Sequence, residues 1–260
     1  MSKKTLVAGA LLALALAVAG CRSLFPADGF VNPHASAGVQ HNAGLDFALR
    51  RLQEAPPPAP GTRRSREEVL AFVSTAVDQY LDSLNITPEQ REAIREANAG
   101  AGGLEPALER FRVQEAERGY YRRIAAAVSG EGTARARVAK IQREASLALG
   151  ALGPDRAQGV LVSAAVAVGS VEYWDRGSNR DAWALAINRN ADGDASGSAA
   201  PAASKKINWK EVGKADFVGA VRGAVVGAVT GGGIVVGAVS TGLGSSAASV
   251  ASQLWDKLFS

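Results

Sequence analysis

The sequence predicts an all-α protein, a helical bundle with a C-terminal glycine-zipper helical hairpin. Apolar side chains recur every three or four residues over most of the chain, which is the spacing of one helix face. Alanine is abundant, whereas threonine, isoleucine and tyrosine, which favour strands, are few. Near the end of the chain glycines fall four residues apart, and on a helix this spacing makes a smooth groove for a second helix.

Residues 62–187 are predicted to form the bundle. The first helix runs from Ser65 to Leu84, and Ser65 with Glu68 forms a capping box of the Ser-x-x-Glu type. The next helices run from Pro88, capped by Thr87, to about Asn98, from Glu105 to Ser129, from Thr133 to the Gly153-Pro154 break, and from Val160 to Tyr173. The last of these is apolar nearly throughout, so we expect it to be the central helix, surrounded by the others.

The first 20 residues have the composition of an export signal. Lys3 and Lys4 precede an apolar stretch from Thr5 to Leu16, and Val18-Ala19-Gly20-Cys21 follows, with the only cysteine of the chain. The stretch is shorter than the roughly 20 apolar residues that a membrane-spanning helix needs. We therefore expect residues 1–20 to be a removed signal peptide rather than part of the fold.

The Val18-Ala19-Gly20-Cys21 sequence resembles the lipobox of bacterial lipoproteins. The resemblance implies that the mature chain begins with an acylated Cys21, carrying palmitate-type chains that bind membrane lipid. Arg22 follows the cysteine, where an aspartate would favour retention in the inner membrane. The resemblance therefore implies a lipid-anchored protein of the cell outer membrane.

Composition divides the rest of the chain into segments. Residues 21–61 are predicted to be a lipidated tether with a proline-rich spacer, because APPPAPG at 55–61 must be extended. Residues 188–206 are rich in alanine, serine, glycine and aspartate and are predicted to be a flexible linker. Residues 207–260 are then expected to be a separate glycine-zipper hydrophobic tail.

The tail carries the candidate helix-packing or membrane-contact site. Its glycines form two series around a central glycine triplet, and the site comprises Gly219, Gly223, Gly227, Gly231, Gly233 and Gly237. No charge occurs from Gly223 to Trp255, and Trp209 and Trp255 stand where interfacial anchors would be. The spacing predicts close helix packing and leaves open whether it occurs in a membrane or in water. It resembles the glycine-zipper segments of small outer-membrane lipoproteins and the glycine-spaced helices of pore-forming bacteriocins.

Two further motifs resemble an uncharacterised group of bacterial exported proteins. That group has an opening of the form NP…G..HN.GLD and a tail of the form KAD..GA. The matching residues here are Asn32, Pro33, Gly38, His41, Asn42, Gly44, Leu45 and Asp46 in the opening, and Trp209, Val212, Gly213, Lys214, Ala215, Asp216 and the glycine series that starts at Gly219 in the tail. This resemblance implies a family and no specific chemistry.

Composition argues against several function classes. The formal net charge of +4 falls to +2 once Lys3 and Lys4 are removed, and acidic and basic residues are interleaved, so nucleic acid is not an expected partner. His34 and His41 are the only histidines, so no metal site or other cofactor is expected. Asn190, Asp192 and Asp194 imitate the start of a calcium loop, but Ala195 and Pro201 replace its glycine and glutamate.

These observations favour a non-enzymatic, membrane-anchored bacterial lipoprotein that acts as an envelope structural or interaction protein through helix packing. Its partner would be a second copy of itself or another envelope protein. An alternative is a membrane-active toxin or bacteriocin-like effector whose tail inserts into a target bilayer. A second alternative is an envelope hydrolase, because His41 with Asp46 nearby could form an acid-base pair, although no nucleophile is marked.

Overall fold

Every regular element that the structure describes is an α-helix, which confirms the predicted fold class. The computed structural model describes residues 29–59, 61–84, 86–99, 102–191, 207–229 and 233–259. Its helices are α1 (Ala35–Glu54), α2 (Arg66–Ser83), α3 (Pro88–Ala99), α4 (Leu104–Arg110), α5 (Glu115–Ser129), α6 (Ala134–Asp175), α7 (Gly177–Ala191), α8 (Trp209–Val229) and α9 (Ile234–Phe259). All of them lie in one compact unit, residues 32–260; residues 1–31 are a second unit, of which only 29–31 are described.

The helix starts follow the predicted caps. The Ser65 hydroxyl accepts from the Glu68 amide at 3.2 Å, and the Glu68 carboxylate accepts from the Ser65 amide at 2.6 Å, so both halves of the capping box are made. The Thr87 hydroxyl accepts from the Gln90 amide at 3.3 Å. At α6 the Thr133 hydroxyl accepts from the Ala136 amide. Each cap satisfies an amide that the first turn of the helix leaves unpaired.

The predicted helix from Glu105 to Ser129 is two helices, α4 and α5. Arg112 between them has a positive φ of 50°, which ends the helical path. The Arg118 guanidinium then donates to the Val113 carbonyl at 2.7 Å and holds the turn. The apolar side chains keep their helical spacing across this break, so the sequence pattern did not predict the interruption. The break predicted at Gly153-Pro154 occurs as a kink in α6, with Gly153 at φ 77°.

The second half of α6 is the centre of the molecule. From Val160 to Trp174 nearly every side chain is buried, and α1, α5, α8 and α9 all pack against this helix. The prediction that Val160–Tyr173 is apolar on all sides because it is surrounded is thus confirmed.

The tail is part of this core rather than a separate segment. In α8, Val212 and Phe217 are fully buried, and in α9, Leu243 and Leu254 are fully buried. The larger hydrophobic core cluster joins α9 side chains to those of α1, α2 and α7. The sequence-based division into a bundle at 62–187 and a distinct tail at 207–260 therefore differs from the structure. The reason is that the apolar tail side chains are buried among the other helices of the same chain.

Two predicted connecting segments also contribute to the body. The segment 21–61, expected to be a tether, contains α1, whose Ala37, Leu45, Ala48 and Leu52 are fully buried. The segment 188–206, expected to be a linker, begins with the last turn of α7. Asn190 in that turn is 1% exposed and donates to the carbonyls of Leu52 and Ala186. Asp192 and Asp194 lie outside the described residues.

Candidate functional site: a glycine interface and a buried polar cluster

The structure describes most of the residues that the sequence marks as candidate sites. Gly219, Gly223 and Gly227 lie on α8, Gly237 lies on α9, and Gly233 precedes α9 with a positive φ of 86°. Gly231 and the lipidation candidate Cys21 lie outside the described residues.

Helices α8 and α9 run antiparallel and meet backbone to backbone at these glycines. Gly223 faces Gly237, and a Cβ on either would overlap the carbonyl group of the other. A Cβ on Gly227 would overlap the Gly233 carbonyl group, whereas a Cβ on Gly233 would meet nothing within 4 Å. A Cβ on Gly219 would lie 2.5 Å from the Thr241 carbonyl oxygen and 2.9 Å from the Gly242 Cα. We refer to these contacts between α8 and α9 as the glycine interface; it joins two helices of the same chain.

A second close crossing joins α1 to the centre of α6. A Cβ on Gly169 would lie 2.7 Å from the Gly38 carbonyl oxygen and 2.9 Å from the Gly38 Cα. Further along α1, a Cβ on Gly44 would lie 2.8 Å from a ring carbon of Tyr80. The sequence marks Gly38 and Gly44 only as members of the opening motif, because neither belongs to a series with four-residue spacing.

The two sequence motifs meet in space at His41 and Asp216. His41, on α1, and Asp216, on α8, are both 0% exposed, and 3.8 Å separates His41 Nε2 from Asp216 Oδ2. The same carboxylate accepts from the Ser170 hydroxyl and from Trp174 Nε1, the latter at 3.0 Å. His41, Ser170, Trp174 and Asp216 form what we call the buried polar cluster, which connects α1, α6 and α8.

Burial raises the pKa of the Asp216 carboxyl above its ordinary value, because a carboxylate loses hydration inside the protein. The His41 imidazole and the hydrogen bonds from Ser170 and Trp174 act in the opposite direction and favour the charged form. The pKa of Asp216 is raised overall, because the loss of hydration on burial has the largest effect.

Other polar residues of the opening motif hold α1 against α6. The Asn32 side chain donates to the Leu161 carbonyl at 2.8 Å. The Asn42 side chain donates to the Gly169 carbonyl at 3.0 Å, next to the Gly38 crossing. Asp46, proposed above as a partner of His41, instead accepts from the Tyr173 hydroxyl at 3.0 Å. The motif residues therefore make helix-to-helix contacts.

The buried polar cluster contains serine, histidine and aspartate, but its geometry differs from that of a hydrolytic triad. In such a triad the serine hydroxyl donates to the imidazole, which removes its proton. Here the Ser170 hydroxyl donates to Asp216, and both Ser170 and His41 are 0% exposed. Among the described residues, no group of three or more histidine, cysteine, aspartate or glutamate side chains is placed to hold a metal ion. The arrangement fits a structural connection better than an active site.

The tryptophans considered as membrane anchors pack within the protein. Trp209 stacks on Trp174 with 5.1 Å between ring centroids, and Trp255 lies against Phe259 at 4.6 Å. Within the described part of the chain, α9 is the one helix long and apolar enough to cross a membrane, and 61% of its most apolar stretch is buried in the protein. A buried core helix meets the same criteria.

Comparison of the chain with protein families, with curated proteins and with solved structures gave no match.

The glycine interface predicts that Gly223→Ala destabilises the protein although alanine favours helix. We expect a loss of about 1–3 kcal/mol in the free energy of unfolding, because the added methyl group must push α8 away from α9. Gly150→Ala on α6 is the matched control, since a Cβ there meets nothing within 4 Å; it should gain about 0.5–1 kcal/mol. Urea unfolding followed by circular dichroism measures both. If both substitutions stabilised the protein equally, α8 and α9 would not be in close contact at Gly223.

The raised pKa of Asp216 predicts a pH dependence of stability. The folded protein holds this proton more tightly than the unfolded chain, whose pKa is near 3.8. The contribution of Asp216 to stability is therefore greatest at low pH and falls as the pH rises from 3.8 through the raised folded value. Relative to Asp216→Asn, the wild-type protein should lose stability over this range in urea unfolding experiments. Glu67→Gln, which removes an exposed carboxyl of α2, is the control and should follow the wild type. If the free energy of unfolding of Asp216→Asn and of the wild type changes with pH in parallel, Asp216 does not have a raised pKa.

Proposed function

We propose that this chain is a membrane-anchored bacterial lipoprotein, acylated at Cys21, that acts without catalysis as an envelope structural or interaction protein. The observation that supports this most is the place of the tail. The glycine contacts are made inside the chain; α8 packs against α6, and α9 packs against α1, α2 and α6. Because the apolar side chains of α8 and α9 are already buried in the protein, these helices do not need a bilayer. We therefore assign membrane attachment to the acylated Cys21 at the other end of the chain.

The lipobox supplies that attachment. Acyl chains contribute about 0.8 kcal/mol for each buried CH₂, and two or more chains together give stable anchoring. The acylated Cys21 would then hold the helical body at the membrane, with residues 21–34 between the anchor and the start of α1. Arg22, in place of an aspartate, supports the outer membrane as the location.

The body would act by binding another protein through its exposed helices. The outer faces of α4 and α5 carry interleaved charges, as in the bidentate contact of the Arg122 guanidinium with Glu105 at 2.9 and 2.8 Å. Leu147 on α6 and Leu185 on α7 are each 49% exposed and are the larger apolar side chains offered to a partner. A second copy of the chain or another envelope protein fits such a surface.

Acylation predicts the behaviour of Cys21→Ser. In cells fed labelled palmitate the full-length protein should incorporate the label and fractionate with the outer membrane, because the acyl chains hold it there. Cys21→Ser should incorporate none and should lose the outer-membrane association. Arg22→Asp, which keeps the cysteine, should keep the label and move to the inner membrane. An unlabelled wild-type protein would refute the anchor, and labelled protein in the inner membrane would refute only the location.

A membrane-active effector is the second candidate, and one observation favours it. The segment from Gly223 to Trp255 has no charge, and α9 is long enough to span a bilayer. Insertion would require α8 and α9 to leave the body and carry Asp216 and Arg222 with them. Both residues are buried in the folded chain, so the change would disrupt the buried polar cluster.

This candidate predicts that loosening α8 promotes leakage of dye from liposomes. Phe217 on α8 is fully buried and packs against Tyr121, with 6.4 Å between ring centroids. Phe217→Ala leaves a cavity, and such substitutions cost about 3–5 kcal/mol. If the tail inserts, the full-length protein should release dye, and Phe217→Ala should release it faster. Leu147→Ala, at an exposed site of α6, should match the wild-type rate. No release from either protein would exclude insertion.

A further inference from the structure

A cleft of about 780 Å³ lies between α2 and α3 on one side and α8 and α9 on the other. It exists because α9 presents only small residues to it, among them Gly244, Ser245 and Ala248, so the facing helices leave space between them. Small-molecule sites have volumes of about 300–1,000 Å³ and are mostly apolar with a few polar groups. The size of this cleft is in that range.

The floor of the cleft is apolar. It is formed by aliphatic side chains of α2, α3 and α8, namely Leu70, Val73, Val77, Leu81, Ile94 and Val218. These side chains are branched hydrocarbons without a hydrogen-bonding group, so they would favour the alkyl part of a ligand.

The charges at the mouth are mostly compensated. Arg91 pairs with Asp82, which lies outside the cleft lining. The Arg95 guanidinium lies 3.9 Å from Asp78 Oδ2, and Lys214 Nζ lies 3.6 Å from Glu211 Oε2. Because each of these cations already has a carboxylate partner, none of them requires an anion from outside.

Arg222 is the exception among the cations that line the cleft. Its side chain is 7% exposed, and its guanidinium donates to the Gly102 carbonyl. No carboxylate of the described residues pairs with it, and the charge that acts on it is the positive one of Arg110. Burial, followed by Arg110, lowers the pKa of Arg222. A buried charge without a counter-charge is costly, and an anion would offset that cost.

Ser240 on α9 provides a second polar group in the same cleft. It is 1% exposed, and its hydroxyl has no hydrogen-bond partner among the described residues. A buried hydroxyl left unpaired also costs free energy, and a ligand oxygen can accept from it. The cleft thus combines one uncompensated cation, one free hydroxyl donor and an aliphatic floor.

We propose that this cleft binds a long-chain fatty acid, with its carboxylate at Arg222 and Ser240 and its alkyl chain along the aliphatic floor. A single carboxylate matches Arg222, the one cation of the cleft lining that has no carboxylate partner among the described residues, and arginine binds carboxylates through two parallel hydrogen bonds. A phosphate monoester carries up to about two negative charges and would leave excess charge in a mostly apolar cleft. This site is independent of acylation at Cys21 and goes beyond the function proposed above.

Photolabelling tests the proposal on the full-length protein in nonionic detergent. The probe is palmitate with a diazirine on its alkyl chain, and labelled peptides are identified by mass spectrometry. We expect label in the cleft-lining parts of α2 and α9, at 70–81 and 240–249. Unlabelled palmitate should compete, whereas hexadecanol, which lacks the charge, and inorganic phosphate, which lacks the chain, should not. Stronger competition by a single-chain phospholipid would overturn the choice of a carboxylate.

Three variants separate the site from general adsorption of the probe. Arg222→Gln should reduce labelling about tenfold, because it removes a charge-assisted hydrogen bond. Ala248→Phe fills the cleft from an exposed position on α9 and should also reduce labelling, so it tests the site even if Arg222→Gln fails to fold. Arg123→Gln is the matched control and should label like the wild type, since Arg123 lies outside the cleft lining, is 50% exposed and is already paired with Glu144. Label spread outside the cleft, or unchanged labelling of Ala248→Phe, would refute the proposal.

Discussion

The architecture depends on the backbone contact between α8 and α9 at Gly223 and Gly237. Because neither residue has a Cβ, the two helices come closer than any side chain would allow, and together they form a narrow antiparallel pair. A narrow pair of helices fits into the core beside α6, and there Phe217 of α8 and Leu243 of α9 are both fully buried. Bulkier residues at the contact would push one of the two helices out of the core.

The buried polar cluster adds specificity to this packing. Asp216 on α8 accepts from Ser170 and Trp174 of α6 and faces His41 of α1, so three helices converge on one carboxylate. Aliphatic contacts alone tolerate rotation or sliding of a helix, but a buried carboxylate must keep its donors. The cluster thus fixes α8 relative to α1 and α6, while glycine contacts set how closely the helices approach.

The position of the tail connects the proposed functions. As long as α8 and α9 stay in the body, attachment to a membrane rests on the acylated Cys21, and the exposed helices are available for protein partners. Small residues on one side of α9 allow its close packing against α8, and small residues on another side leave the cleft, where Arg222 has no counter-charge among the described residues. Insertion of the tail into a bilayer would sacrifice the glycine interface, the buried polar cluster and the cleft together.

The sequence by itself determined the helical class, the capped starts at Ser65, Thr87 and Thr133 and the buried helix at Val160–Tyr173, because caps and periodicity act over a few neighbouring residues. It marked His41 and Asp216 only as members of separate motifs, and it treated the tail as a separate segment. Their pairing, the crossing at Gly38 and the cleft were decided by the tertiary structure. These features join residues far apart in the chain, and no local pattern specifies which helix face meets which.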